Sequence, residues 1–382
     1  MDFELSEEQQ MVRDMVHRFG EEKIKPSAAQ WDKEHHFPTE VVREIGSMGL
    51  MGVTVPEQWG GAGMDYVTYV LVVSELSRAC AGVGVICSVN NSLYCYPVMK
   101  YGTDEQREKF LKPVASGQFE GCYGLTEADA GSDPAGMRTT AVLDGDEWVI
   151  NGEKKFITNG KQARYMVFAA VTDKEKGYKG ITQFVIDLEN TPGFTVGYVE
   201  EKMGIRATST TEMVFDEARI PRSAILGEPG NGFRQMLETL DSGRIGIGSQ
   251  ALGIAKACLE EAVEFTCERK QFGKPLSAMQ ANQFKMADMA ARIDASELLL
   301  LRAAWLEDQG KPFEKEAAMA KMFASDTAMD AGVEGVQLLG GYGYCSEYAM
   351  ERHMRDAKIT QIYEGTNEIM RLVIARHVIG KR

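Results

Sequence analysis

Residues 144–160 read Asp144-Gly145-Asp146-Glu147-Trp148-Val149-Ile150-Asn151-Gly152-Glu153-Lys154-Lys155-Phe156-Ile157-Thr158-Asn159-Gly160. Two short runs, Trp148-Val149-Ile150 and Lys155-Phe156-Ile157-Thr158, carry aromatic and β-branched residues. Turn signals bound them: Asp144-Gly145-Asp146 before, Asn151-Gly152 between and Asn159-Gly160 after. This is the punctuation of strands and hairpins. It continues through Tyr165–Ala170, Ile181–Ile186, Phe194–Val196 and Glu212–Phe215, with Pro192-Gly193 as a further break. The pattern predicts a compact antiparallel barrel or sandwich over 121–230, closed by Ile220-Pro221 and Gly227-Glu228-Pro229-Gly230.

On both sides the hydrophobic period is helical. Residues 1–120 open with Ser6 and Gln9 in capping-box spacing. Met11, Val12, Met15, Val16 and Phe19 follow as an apolar stripe that predicts a core-facing helix. Val41–Leu50, Val67–Arg78, the apolar run Val83–Val98 and a segment starting at Thr103 are further helices. From about Asn231 the pattern is helical again, with long candidates at Ala251–Arg269, Ala281–Asp308 and Lys315–Leu339. The fold expected is therefore mainly α with a central β domain: a helical domain over 1–120, a β domain over 121–230 and a helical bundle over 231–382.

The chain has 382 residues, 44% hydrophobic and 26% charged, with a net charge of -14. That is enough apolar material for a large core, and the acidic balance argues against nucleic acid and anionic membrane as partners. No apolar run approaches a membrane span. Seven cysteines without a Cys-x-x-Cys, and five scattered histidines, point to reduced thiols in a cytoplasmic protein and to no metal site. The acidic, polar start shows no targeting peptide.

Chemistry is concentrated near the end of the chain. A charged helix, Glu351–Lys358, runs through Ile359, Ile362 and Tyr363 into Glu364-Gly365-Thr366. Gly365 breaks the helical period, and an amphipathic segment restarts with Ile369, Leu372, Val373 and Val378. Glu364 is thus a carboxylate at a helix joint among apolar residues. Desolvation there would raise its pKa and make it a stronger base; a solvated loop or capping glutamate is the plainer alternative. Other segments are individually weak. Cys122–Asp133 is a turn-rich loop with Thr126 and Ser132 as donors and Gly131 for close backbone approach. Phe156–Gly160 reads alone as a hairpin end with a core phenylalanine. Gln337–Tyr344 is glycine-rich at a helix end, where glycine usually caps. Arg269-Lys270 places cations at a helix C-terminus, and Asp241 reads as the cap of a new helix.

Taken together and in order, these pieces make the chain resemble the acyl-CoA dehydrogenase family from end to end. The resemblance is carried by Tyr123–Asp133, Phe156-Ile157-Thr158-Asn159-Gly160, Lys202-Met203-Gly204-Ile205-Arg206, Arg269-Lys270-Gln271-Phe272-Gly273, Gln337–Gly343 and Ile362-Tyr363-Glu364-Gly365-Thr366. Leu240–Ile247 and Arg355–Glu368 look most like its short-chain (butyryl-CoA) branch. The resemblance implies an N-terminal helical domain, an antiparallel β-barrel-like middle domain and a C-terminal four-helix bundle, with FAD bound non-covalently in a homotetramer.

By position it implies that Tyr123, Leu125, Thr126, Gly131, Ser132, Phe156 and Thr158 bind the flavin, with Thr366 and Glu368 on the flavin side after the base. Arg269, Gln271, Phe272, Gln337 and Gly341 match residues that reach a neighbour's FAD. Ser132, Asp241, Arg244, Tyr363 and Gly365 match substrate contacts. Glu364 matches the catalytic base for α,β-dehydrogenation of an acyl-CoA thioester, with electrons passing to electron-transferring flavoprotein. Some members carry the base at the position of Gly243, where glycine cannot serve. Phe156 replaces a frequent tryptophan and Ala128 a frequent proline. Asn90–Tyr96 is expected near the acyl pocket. The acyl group stays open between short-chain, branched and alicyclic. An enoyl-CoA reductase running in reverse and a non-catalytic flavin- or acyl-CoA-binding scaffold are the competing readings.

Overall fold

The computed structural model describes residues 4–380. Helices occupy Glu7–Phe19 through Lys112–Ala115, a curled sheet follows, and helices return from Gly232 to Ile379. Ser6 caps the first helix in the expected box with Gln9. Its apolar stripe divides. Val12 and Val16 are buried, whereas Met11 is 70% and Met15 37% exposed, because the helix lies on the surface and only one edge of the stripe meets the helix Tyr66–Ala79.

The sheet has seven strands: β1 Gly121–Gly124, β2 Thr140–Asp144, β3 Glu147–Thr158, β4 Tyr165–Val171, β5 Ile181–Asp187, β6 Phe194–Val199 and β7 Thr210–Pro221. Their order is β1-β4-β2-β3-β7-β6, with β5 on β4. β2–β3, β3–β7, β4–β5 and β6–β7 are antiparallel. β1 and β2 both run parallel to β4, so the sheet is mixed. Parallel pairs need long crossovers that turn signals do not announce. The crossover between β1 and β2 is the loop 125–139.

Asn151-Gly152 is not a turn. β3 runs straight through it, and the register to β7 slips between Ile150 and Gly152. Gly152 has φ +144°, and a Cβ there would lie 2.6 Å from Thr139 Oγ1. Asn151 Oδ1 accepts from the Glu217 N–H at 2.9 Å, which ties the bulge to β7. A second slip between Lys154 and Ile157 puts Phe156 at φ 59°. The strand is therefore bent twice, and the second bend throws Phe156 outward.

The C-terminal bundle is built on Gly232–Glu268, Gln280–Asp308 and Glu314–Leu339, with the shorter Met350–Thr360 and Asn367–Ile379 across them. Asp241 does not cap a helix; it sits ten residues inside the first of these. Arg244, one turn on, pairs with it and satisfies a carboxylate that would otherwise favour a terminus. The β domain docks onto this bundle through 202–206. Ile205 N–H donates to Asp356 Oδ1 at 2.5 Å, and Gly204 packs so closely on the Arg355–Asp356 main chain that a Cβ would approach within 2.6 Å. Arg355 reaches onward to Asp32 (2.7 Å) and to the Met203 carbonyl (3.0 Å). The helix leading to Glu364 is thus clamped by all three regions.

Replacing Gly152 with alanine forces a Cβ into Thr139 from a backbone that side chains rarely adopt. We expect a loss of about 2 kcal/mol, read as a lowered midpoint in urea unfolding at unchanged slope.

Candidate active site

Glu364 and Gly365 are consecutive left-handed residues, at φ 53° and 96°. Met350–Thr360 stops, the chain reverses through these two residues, and Thr366 caps Asn367–Ile379 by accepting from Ile369 N–H at 3.4 Å. The reversal aims the Glu364 side chain inward at the helix Gly232–Glu268. A Cβ on Gly243 would overlap Glu364 Oε2 and come within 2.9 Å of Leu93 Cδ2. Glycine at 243 is therefore the space that the carboxylate occupies.

Glu364 Oε2 is sealed from solvent with no hydrogen-bond partner. Burial pushes its pKa up to about 8, against the opposing pull of Lys321 and Arg244. Both expectations for this residue, a helix joint and a desolvated carboxylate, match the structure. Arg244 is 4% exposed and pairs with Asp241. Burial raises the Asp241 carboxyl to about 6, with Arg244 opposing. Tyr363 donates its hydroxyl to Gln250, whose amide nitrogen is anchored on the Ala81 carbonyl at 3.0 Å.

Beside this group runs Val89–Cys95, a wide helical turn rather than a regular helix. Asn90 and Asn91 are consumed in holding it: Asn90 donates to the Met51 carbonyl (2.8 Å) and accepts from Gly121 N–H (3.0 Å), while Asn91 accepts from Val53 N–H at 2.7 Å. Tyr94 is buried and donates to the Phe110 carbonyl. From this stretch Leu93 meets the Gly243–Glu364 contact, and Ser92 joins Thr54, Tyr66, Tyr69, Asn91 and Ser242 around a small adjoining cleft.

A second group lies on the sheet. Tyr123 is buried, and its hydroxyl accepts from Gln183 at 2.7 Å. Leu125 is buried too, while Gly131 and Ser132 are exposed at the far side of the loop. Lys155 N–H donates to the Thr126 carbonyl at 2.7 Å, which fastens this loop next to Phe156. Phe156 is not a core residue: its ring is 60% exposed, because the bulge reverses its side. Thr158 follows, partly exposed.

Beneath the loop is a pair that the sequence reading did not pick out. Lys154, fully buried, meets Glu127 at 2.7 Å. Glu127 also accepts from Arg138 N–H (2.6 Å) and Thr139 N–H (3.1 Å). Burial would raise Glu127, but Lys154 and these donors outweigh it and hold the carboxyl below its ordinary value. Burial holds the Lys154 ammonium below its ordinary value in turn. Lys154 stands between Glu153 and Lys155, so the sequence carried no local signal of its burial.

The third group is Arg269, Gln271, Phe272, Gln337 and Gly341. All are exposed, and Phe272, at the tip of a two-strand hairpin, is 94% exposed. Arg269 stacks over Tyr342, 5.4 Å to the ring centre, which joins the hairpin to the glycine-rich turn. Gln337 lies 16 residues beyond Lys321 on one helix. At 1.5 Å per residue that is about 24 Å from the Glu364 loop, so this group does not share the carboxylate's site within one chain.

Family models for the acyl-CoA dehydrogenase N-terminal, middle and C-terminal domains match residues 6–118, 122–218 and 230–379. The chain belongs to the acyl-CoA dehydrogenase family. It is 50% identical to the mitochondrial short-chain specific acyl-CoA dehydrogenase of Bos taurus over 98% of this chain and 91% of that protein. Butyryl-CoA dehydrogenase from Megasphaera elsdenii superposes with a TM-score of 0.97 at 45% identity, covering 100% of both chains. A structure from work on the electron-transferring flavoprotein of Acidaminococcus fermentans superposes with a TM-score of 0.98 at 46% identity, again over 100% of both chains. Acyl-CoA dehydrogenases are FAD-dependent flavoprotein oxidoreductases. Among the described residues no helix is long and apolar enough to cross a membrane.

Lys154→Met would leave Glu127 buried without its cation. We expect a loss of about 3 kcal/mol in chemical denaturation, with hydrogen exchange rising first in the 127–139 loop of this acyl-CoA dehydrogenase.

Proposed function

We propose that this acyl-CoA dehydrogenase removes the α- and β-hydrogens of a short or compact acyl-CoA thioester, and that Glu364 is the base. The observation carrying the proposal is the Glu364 carboxylate: Oε2 is sealed and unpartnered, and burial raises the pKa to about 8. A carboxylate stripped of hydration is a far stronger base than one in water, and its proton affinity is matched to the working pH.

The residues fit FAD. Phe156 presents an uncovered aromatic face beside the Thr126 loop, the surface that a flavin ring needs, and Thr158 brings a hydroxyl on the same stretch of strand. Tyr123 and Leu125 form the buried floor of that loop, with Gly131 and Ser132 at its rim. Thr366 and Glu368 lie just past the base. When bound, FAD supplies the acceptor for the β-hydrogen, which leaves the substrate as hydride. Glu364 takes the α-proton, so the substrate loses one proton and one hydride and gains a double bond.

The other roles follow from position. Ser132 is exposed for the thioester arm of the ligand, and Asp241 and Arg244, two residues before and one after Gly243, serve its CoA portion. Tyr363 and Gly365 flank the base and wall the reacting carbons. Arg269, Gln271, Phe272, Gln337 and Gly341 serve the FAD of a neighbouring subunit. Arginine suits a pyrophosphate there because its fork donates two charge-assisted bonds, and a 94%-exposed phenylalanine is costly in a lone subunit. The assembly proposed is a homotetramer that passes electrons to electron-transferring flavoprotein. Short-chain preference is supported by the named relatives.

Anaerobic butyryl-CoA should bleach the visible flavin spectrum of the FAD-loaded protein. Glu364→Gln should bind FAD and ligand yet turn over about 10³-fold more slowly or worse; full turnover would show that another group is the base. Because the free-enzyme pKa lies near 8, above the ordinary 4.5, kcat/KM should rise with pH through about 8 as the carboxyl ionises. The stability sign is opposite. A carboxyl whose folded value is raised weakens the fold as pH climbs from about 4.5 to about 8, where the unfolded chain has ionised and the folded one resists. Glu364→Gln should therefore gain thermal stability over the parent at alkaline pH and not at pH 4.

A further inference from the structure

One buried ionisable group has no part in the chemistry above. Lys321 sits in the middle of Glu314–Leu339, fully buried, among Ala317, Ala318, Ala320 and Ala324. An ammonium in such surroundings is costly unless its donors are used. Lys321 Nζ donates to the Gly365 carbonyl at 2.7 Å and to Asn367 Oδ1 at 3.0 Å. These are the residue after Glu364 and the first residue of the following helix. Asn367 is itself fixed, donating to Ser325 Oγ at 2.9 Å and Asp326 Oδ1 at 2.7 Å. The lysine therefore holds the joint from behind and makes no bond to the carboxylate, whose Oε2 has no partner.

The charges facing this pair are few. Arg244 approaches Glu364 from Gly232–Glu268, but it is paired with Asp241. Asp326 and Glu368 approach Lys321; Asp326 is also held by Arg371 (3.3 Å) and Gln361 (2.7 Å). Tyr363 and Tyr69 contribute phenols whose pKa burial raises. Among the described residues Lys321 makes no ion pair of its own, so its charge acts on Glu364 without a carboxylate partner to cancel it.

We propose that Lys321 is the positioning residue for the base: it locks the left-handed Glu364–Gly365 turn through the Gly365 carbonyl and sets the proton affinity of Glu364 as a fixed, unbonded cation behind it. The proposal rests on Glu364 being the base. Burial lowers the Lys321 pKa while the Glu364 carboxylate opposes that fall, so the two ionisations are linked.

The test is the pH profile of kcat/KM for butyryl-CoA with FAD-loaded protein, run on the parent, Glu364→Gln and Lys321→Gln. Glutamine keeps an N–H for the Gly365 carbonyl and removes the charge. We expect the rising limb to move up by about one unit, kcat to fall about tenfold and KM to hold. A limb that stays in place while only thermal stability falls makes Lys321 a structural lysine and overturns the proposal. If Lys321→Gln does not fold, Asn367→Ala decides. It keeps the cation and frees it to approach Glu364, so the limb should move down; an unmoved limb overturns the proposal. A Glu364→Gln protein with full turnover would instead overturn the assignment of the base, whatever Lys321 does.

Discussion

Two left-handed residues in succession, one of them a glutamate, are the constraint around which the C-terminal half of this molecule is built. A non-glycine residue there costs about 1–2 kcal/mol, and an isolated chain would relax it. It persists because three elements over-determine it. Met350–Thr360 is clamped by Asp356 and Arg355 to the β domain and to Asp32. Thr366 starts the next helix with a side-chain cap. Lys321 reaches through the bundle to the carbonyl between them. Strain held in this way yields a side chain with one direction to point.

That direction decides the chemistry. Glu364 enters a space that exists because residue 243 has no side chain, and finds no donor for Oε2. In water the same carboxylate would be a weak base. Here burial dominates the two opposing cations, and the proton affinity rises to about 8. The cations stand near enough to moderate this carboxylate and too far to pair with it.

The sheet follows the same logic. Its two bulges in β3 are not defects of pairing. The first needs Gly152 because Thr139 lies against it; the second turns Phe156 from the core to the surface. A strand that alternated faithfully would have buried that ring. The buried Lys154–Glu127 pair then stiffens the loop that lies beside Phe156.

Much of this was legible in the chain itself. Capping residues, helical stripes and turn dipeptides marked the helix–sheet–helix order, because those signals depend only on neighbours in sequence. Gly365 after an apolar step marked Glu364 as a carboxylate at a joint for the same reason. What local signals could not contain were contacts between distant segments. Asn151-Gly152 carries the same dipeptide as a hairpin turn, and only its pairing with β7 makes it a bulge. Asp241 reads as a cap until Arg244 and the packed bundle keep the helix running. Lys321 is an ordinary lysine among alanines until the chain brings residue 365 to within hydrogen-bond reach, 44 positions away. The sequence by itself determined which elements form and which residue types stand at their ends. The tertiary structure alone decided which groups lose their water and what faces them, and a pKa depends on nothing less.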